Sequence, residues 1–157
     1  MAKATFGDAP LPARILGMAG LLPFIGGALG AWTLPAEQAG LAIPLQFFYA
    51  SAVLSFLGAI HWGLAAAGYG GRAGAVRWVL AVLPCLAGWV LTAIDIEPLY
   101  MGAALTAAFP IVLAGDAVAD RRGLAPAWHL ALRIPLTLVA TAALAASTLR
   151  FVYPPGA

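Results

Sequence analysis

The sequence predicts an all-α fold: a polytopic integral membrane bundle of five transmembrane helices, with the N-terminus inside and the C-terminus outside. Three observations lead there. Of 157 residues, 63% are hydrophobic and only 9% charged, with a mean hydropathy of +0.96, whereas soluble domains carry roughly 25% charged residues. The charges gather between long apolar runs, and each run is long enough to cross about 30 Å of hydrocarbon at 1.5 Å per residue. Basic residues near the ends of those runs gather on one side of such a bundle. Five spans of about 20 residues use roughly 100 residues, which leaves no room for a water-exposed nucleotide-binding, zinc or catalytic domain. A single membrane domain over residues 1–157 is expected.

The elements follow from where charges are absent. Between Arg14 and Glu37 lie 22 uncharged residues, and the first span is placed at about 11–34. The second, at about 44–67, has Pro44 in its first turn, where a missing N–H costs nothing. The third runs over about 74–94 and the fourth over about 98–119, joined by the tight acidic turn Asp95-Ile96-Glu97-Pro98. The fifth covers about 126–150. Pro23, Pro84, Pro110 and Pro135 fall inside spans one, three, four and five, where each removes a backbone hydrogen bond and permits a kink. Gly26-x-x-x-Gly30 and Ala59-x-x-x-Gly63 have the small-residue spacing that lets helix backbones approach. No internal repeat is visible.

Orientation comes from Lys and Arg near helix ends. Lys3, Arg14, Arg72, Arg77, Arg121 and Arg122 all fall on one side, while the other holds Glu37, Asp95 and Glu97 and no basic residue before Arg150. The first apolar run is too long for the core of a cleavable signal peptide. A net charge of +2 gives no reason to expect a nucleic-acid partner. The lone Cys85 cannot close an intrachain disulfide and reads as a small core residue. Trp32, Trp78 and Trp128 read as interface anchors, whereas Trp62 and Trp89 lie deeper.

Ionisable groups inside a span are the best pointers to function, because each costs on the order of 3 kcal/mol on insertion scales. His61 lies ~9 Å, Asp116 ~5 Å and Arg133 ~10 Å from the inner ends of their spans. Spans four and five form an antiparallel hairpin, so Asp116 and Arg133 are offset by about one turn and are expected to form a structural ion pair. His129, Arg133 and Thr137 recur at i, i+4 and i+8, a polar stripe that should face the bundle. Ser51, Ser55, Gly58 and Trp62 form a second stripe with His61 at its edge. His61, Trp62, Asp116, Trp128, His129 and Arg133 are therefore the candidates for ligand or proton handling, alongside the reading in which Asp116 and Arg133 only pin two helices. A His beside a carboxylate can relay a proton, and an Arg can hold an anionic head group or a carbonyl. No nucleophile triad, local His/Glu metal motif or phosphate-cradling loop is present at a convincing spacing, so no catalytic residue, metal or cofactor is expected and the chain is not expected to be an enzyme.

At these residues a resemblance becomes visible. Leu54-Ser55-Phe56-Leu57-Gly58-Ala59-Ile60-His61-Trp62-Gly63 resembles the signature of the domain of unknown function 3429 family, which includes the mitochondrial transmembrane protein 69. Gly20-Leu21-Leu22-Pro23-Phe24, Pro84, Trp89, Asp116, Pro126-x-Trp128 and Leu132-Arg133-x-Pro135-Leu136-Thr137 extend the resemblance over nearly the whole chain. It implies a small polytopic protein of bacterial or mitochondrial inner membranes and brings no established activity. Seven of the eight basic residues are Arg, and Ala, Gly and Pro abound; this composition points to a multi-pass protein of a bacterial inner (cytoplasmic) membrane.

Three function classes remain open. An accessory, assembly or stabilising subunit of a membrane complex needs only a bundle with groovable surfaces, and its partners would be other inner-membrane subunits or a second copy. An oligomeric proton- or small-anion transporter or channel would use the His/Asp/Arg cluster. A membrane-embedded enzyme or binding module would take a lipid, quinone or porphyrin-like ligand. The lipid bilayer is a partner in all three.

Overall fold

A computed structural model describes residues 4–153, so Lys3 lies outside the described residues. After a 3-10 turn at Phe6–Asp8 come six helices: α1 (Leu11–Ala19), α2 (Leu22–Thr33), α3 (Ala36–Ala66), α4 (Ala75–Ala93), α5 (Pro98–Arg121) and α6 (Ala127–Leu149). With α1 and α2 taken together, they make five helical segments of membrane-crossing length and composition. The protein is an all-α, polytopic bundle. Large apolar side chains cover the outer surface along the helices: Leu16, Leu22, Leu41, Leu45, Phe56, Val76, Trp89 and Ile111 are all exposed. An apolar surface of that extent belongs in hydrocarbon rather than water.

The first span is interrupted at Gly20 and Leu21, although both keep right-handed helical backbone angles. Pro23 has no N–H to continue a helix from α1, but it fits the first turn of a new one, so the chain stops at Ala19 and restarts at Leu22. Tyr49 of α3 donates its hydroxyl to the freed carbonyl of Gly20 at 2.9 Å. The second span departs from expectation in the opposite sense. Pro44 lies inside a 31-residue helix rather than at its start. The turns upstream of it bury Ala39 and Ile43, and this packing carries the helix past the proline.

The most extensive pairings are the hairpins α3–α4 and α5–α6, and α2 leans on both α3 and α6. The core is built around Phe24, Phe47, Leu54, Leu105, Phe109 and Leu144. Four glycines set the helix separations. A Cβ on Gly27 would strike Gln46, one on Gly58 the Ala81 carbonyl, one on Gly88 the Ser51 backbone, and one on Gly102 Thr148. The two small-residue motifs read from the sequence do less, because Gly26, Ala59 and Gly63 face outward. The residues adjacent to Gly26 and Ala59, namely Gly27 and Gly58, occupy the face that meets a neighbour. Cys85 is likewise exposed rather than in the core.

Both helices that end beside the polar cluster stop in the same way. Gly68 (φ +70°) follows α3 and Gly123 (φ +64°) follows α5. In each case the next residue's N–H bonds back to a carbonyl in the last turn, Tyr69 to Leu64 at 3.0 Å and Leu124 to Ala119 at 2.8 Å. A left-handed residue there closes the helix at no steric cost to glycine. Arg77 ties the two loops together, donating to the carbonyls of Tyr69 at 2.6 Å and Leu124 at 3.1 Å.

Candidate functional site

Three helices converge at this end of the bundle. Asp116 lies five residues before the end of α5, ~7.5 Å deep at 1.5 Å per residue. His129 and Arg133 of α6 lie on either side of that depth, at ~3 Å and ~9 Å from the helix start, and His61 of α3 is level with Asp116. The antiparallel hairpin therefore brings one carboxylate between two residues of a single α6 face.

The geometry is close. Arg133 Nε donates to Asp116 Oδ2 at 3.0 Å. His61 Nε2 lies 2.7 Å from Asp116 Oδ1 and His129 Nε2 lies 3.4 Å from the same oxygen. The two imidazole rings stand 6.2 Å apart, edge to face. Asp116 and His129 are buried and His61 is half-buried. One guanidinium balances one carboxylate, the condition under which a buried charge is tolerable.

Not every candidate joins this group. Trp128 abuts His129, with ring centroids 6.1 Å apart. Trp62 turns away, is 48% exposed, and packs edge-on against Trp78 at 4.7 Å. Its helical neighbour His61 occupies the inward face, and one residue of helix is a rotation of about 100°. Trp89 is also exposed on the outer surface. The convergence of His129 on the same carboxylate oxygen as His61 is the feature that spacing alone missed. The signal was present in the hairpin, since a residue three positions after Pro126 sits opposite the last turns of α5.

Beside the cluster a cleft of about 580 Å³ runs between α1, α3 and α6. Its walls are largely apolar, including Leu16, Phe24, Val53, Phe56, Phe109 and Leu136. Leu16 and Phe56 line it while remaining exposed, so it opens on the face that lipid would cover. Its polar wall is the α6 stripe of His129, Arg133 and Thr137. Arg133 Nη2 and Thr137 Oγ1 are buried there and have no hydrogen-bond partner. Buried donors are nearly always paired; Arg14, Gln46, Ser51 and Thr141 also carry an unpartnered buried atom, but only Arg133 and Thr137 line the cleft.

Residues 9–149 match the family described as a protein of unknown function, DUF3429. The chain belongs to this family. It is also 32% identical over 154 residues to transmembrane protein 69 of Xenopus tropicalis, an alignment that covers 94% of this chain and 58% of the relative. The chain thus spans little more than half the length of that protein. No solved structure matches. The similarity to transmembrane protein 69 corrects the expected bacterial inner-membrane location, because the homology is to a transmembrane protein of an animal and not to a bacterial inner-membrane protein. Arg over Lys and a wealth of Ala, Gly and Pro reflect base composition, and basic loops orient a protein in a membrane without naming which membrane.

Proposed function

We propose that this small polytopic membrane protein binds an amphipathic ligand: an oxygen-bearing head against Arg133 and Thr137, and an apolar body in the cleft between α1, α3 and α6. The observation that carries this reading is the pair of buried, unpartnered donors, Arg133 Nη2 and Thr137 Oγ1, on the polar wall of an otherwise apolar cleft. Leaving such a donor unmade costs about 1–3 kcal/mol, which an acceptor oxygen recovers. Asp116 already balances the Arg133 charge, so a neutral carbonyl head fits as well as an anionic one. A quinone and an acyl lipid both meet this description. The volume lies within the range of about 300–1,000 Å³ usual for small-molecule sites, and the opening toward lipid supplies an entry route.

Native mass spectrometry of protein purified in mild detergent tests this. The wild type should retain a ligand that Thr137→Val, which keeps shape and removes the donor, releases. Absence of any retained lipid or quinone from the wild type, or equal retention by the variant, would contradict it.

An accessory, assembly or stabilising role is the second reading, and the two are compatible. Its support is α4, which buries only Ala81 and Gly88 and turns Val79, Leu83, Leu86 and Trp89 outward. Stoichiometric co-purification of another membrane subunit would support it. For topology, the alternation of basic and acidic ends supports an inside N-terminus and an outside C-terminus. A reporter that is active only inside, fused at the C-terminus, should be silent.

A further inference from the structure

Around Asp116 there is more ligand-binding capacity than a helix-pinning ion pair requires. We infer that His61, His129 and Asp116 form a site for one divalent first-row transition metal, of the zinc or ferrous class, near the end of the bundle that carries the basic loops. The donor atoms of these three residues all lie within 4.8 Å of one another. Both Nε2 atoms point at a single carboxylate oxygen, at 2.7 Å and 3.4 Å. A metal about 2.0–2.1 Å from imidazole nitrogen and about 2.0–2.2 Å from carboxylate oxygen places its ligands roughly 3–3.5 Å apart, so small side-chain rotations admit the ion.

The donor set is chemically apt. Two imidazoles and one carboxylate suit zinc and non-haem ferrous iron, with positions left open for an outside ligand. Magnesium and calcium prefer all-oxygen shells and are disfavoured. Each donor sits on a different long helix, α3, α5 or α6, which fixes the three positions before any ion arrives. Arg133 acts as an outer partner: its Nε holds Asp116 Oδ2 at 3.0 Å and leaves Oδ1 directed at the imidazoles, the orienting role such groups play around metals. Because Arg133 offsets the carboxylate, the bound ion carries net positive charge, which favours an anionic or strongly polar molecule in its open positions. The sequence does not announce this site, since the three ligands are 55 and 13 residues apart and form no local motif. It does not depend on the occupant of the cleft.

The test uses the full chain, purified without a polyhistidine tag, stripped with chelator and titrated with cobalt(II). The expected result is about one equivalent of cobalt with visible d–d absorption, displaced by zinc. His61→Ala and His129→Ala should each weaken cobalt binding by tenfold or more, and together abolish the absorption while far-UV circular dichroism retains the helical signal. If the double variant fails to fold, His61→Ala alone decides the matter, because His61 is the most exposed of the three. No stoichiometric cobalt spectrum from the wild type, or a spectrum that survives loss of His61 unchanged, would overturn the assignment.

Discussion

Helices α4 and α6 are equally apolar by the measure that sends a helix into a membrane, yet they occupy opposite roles. Helix α6 buries ten residues, among them His129, Arg133, Thr137, Ser147 and Thr148. Helix α4 buries two, both small. The buried positions of α6 recur at helical spacing along one face, 129, 132, 133, 136, 137, 140, 143, 144, 147 and 148, a stripe that points at the bundle. Polar groups collect on that stripe because hydrocarbon offers them no partner, whereas the protein interior does. Hydropathy decides that a helix crosses; the placement of its few polar atoms decides whether it forms the centre or the wall.

The sharpest way to break that contrast is to unbalance the α6 cluster. Asp116→Ala leaves the Arg133 guanidinium buried without its counter-charge and should cost about 3–5 kcal/mol, with Asp116→Ala plus Arg133→Leu restoring part of the loss. Equilibrium unfolding in detergent, run as a double-mutant cycle, measures this; additive losses would show that the pair is not coupled. A smaller effect is expected where α4 is held by backbone contact. Gly58→Leu drives a side chain into the Ala81 carbonyl and should cost about 1–3 kcal/mol, read as a lowered thermal midpoint. On the outer wall, Leu83→Ala removes a side chain that faces lipid and should change stability by no more than about 0.5 kcal/mol.

The smallest expected effect lies outside the membrane. Asp8 accepts from the Thr5 backbone N–H at 2.7 Å and from the Thr5 hydroxyl at 2.9 Å, and the backbone bond foremost holds its carboxyl below the usual value of 3.8. A lowered native pKa means that the turn's contribution is present above about pH 4 and fades as pH falls through the still lower native value. A fall in the protection factor of the Thr5 amide on acidification to that range, with no change in protection along α6, is the expected result.

Much of this is legible in the sequence, for identifiable reasons. The five membrane-length helices follow from uncharged runs, because charge inside hydrocarbon is costly whatever the tertiary packing. The approach of Arg133 to Asp116 follows from hairpin arithmetic, because the loop from Arg122 to Pro126 is too short to let α5 and α6 slide. The interruption at Gly20 and Leu21 is half legible, since Pro23 announces a kink, but only the Tyr49 hydroxyl on the Gly20 carbonyl shows where the freed acceptor goes. The inward turn of His61 and the outward turn of Trp62 depend on the rotational setting of α3 against its neighbours, which Gly58 and Gly88 fix through contacts that no one-dimensional pattern reveals. The cleft is beyond sequence reading for the same reason, being a gap between α1 and helices distant from it in the chain.

Trp128 lines the cleft beside His129, so binding there can be followed directly by tryptophan fluorescence, with Trp128→Phe as the control for the other four indoles. Titration with a tailed quinone or a long-chain carboxylate should change the Trp128 signal, and Thr137→Val should weaken that binding by roughly tenfold, the equivalent of one hydrogen bond of about 1.4 kcal/mol. A headless hydrocarbon of the same tail length that binds equally well, or an affinity untouched by Thr137→Val, would contradict the assignment of Arg133 and Thr137 as the donors that hold a ligand's head.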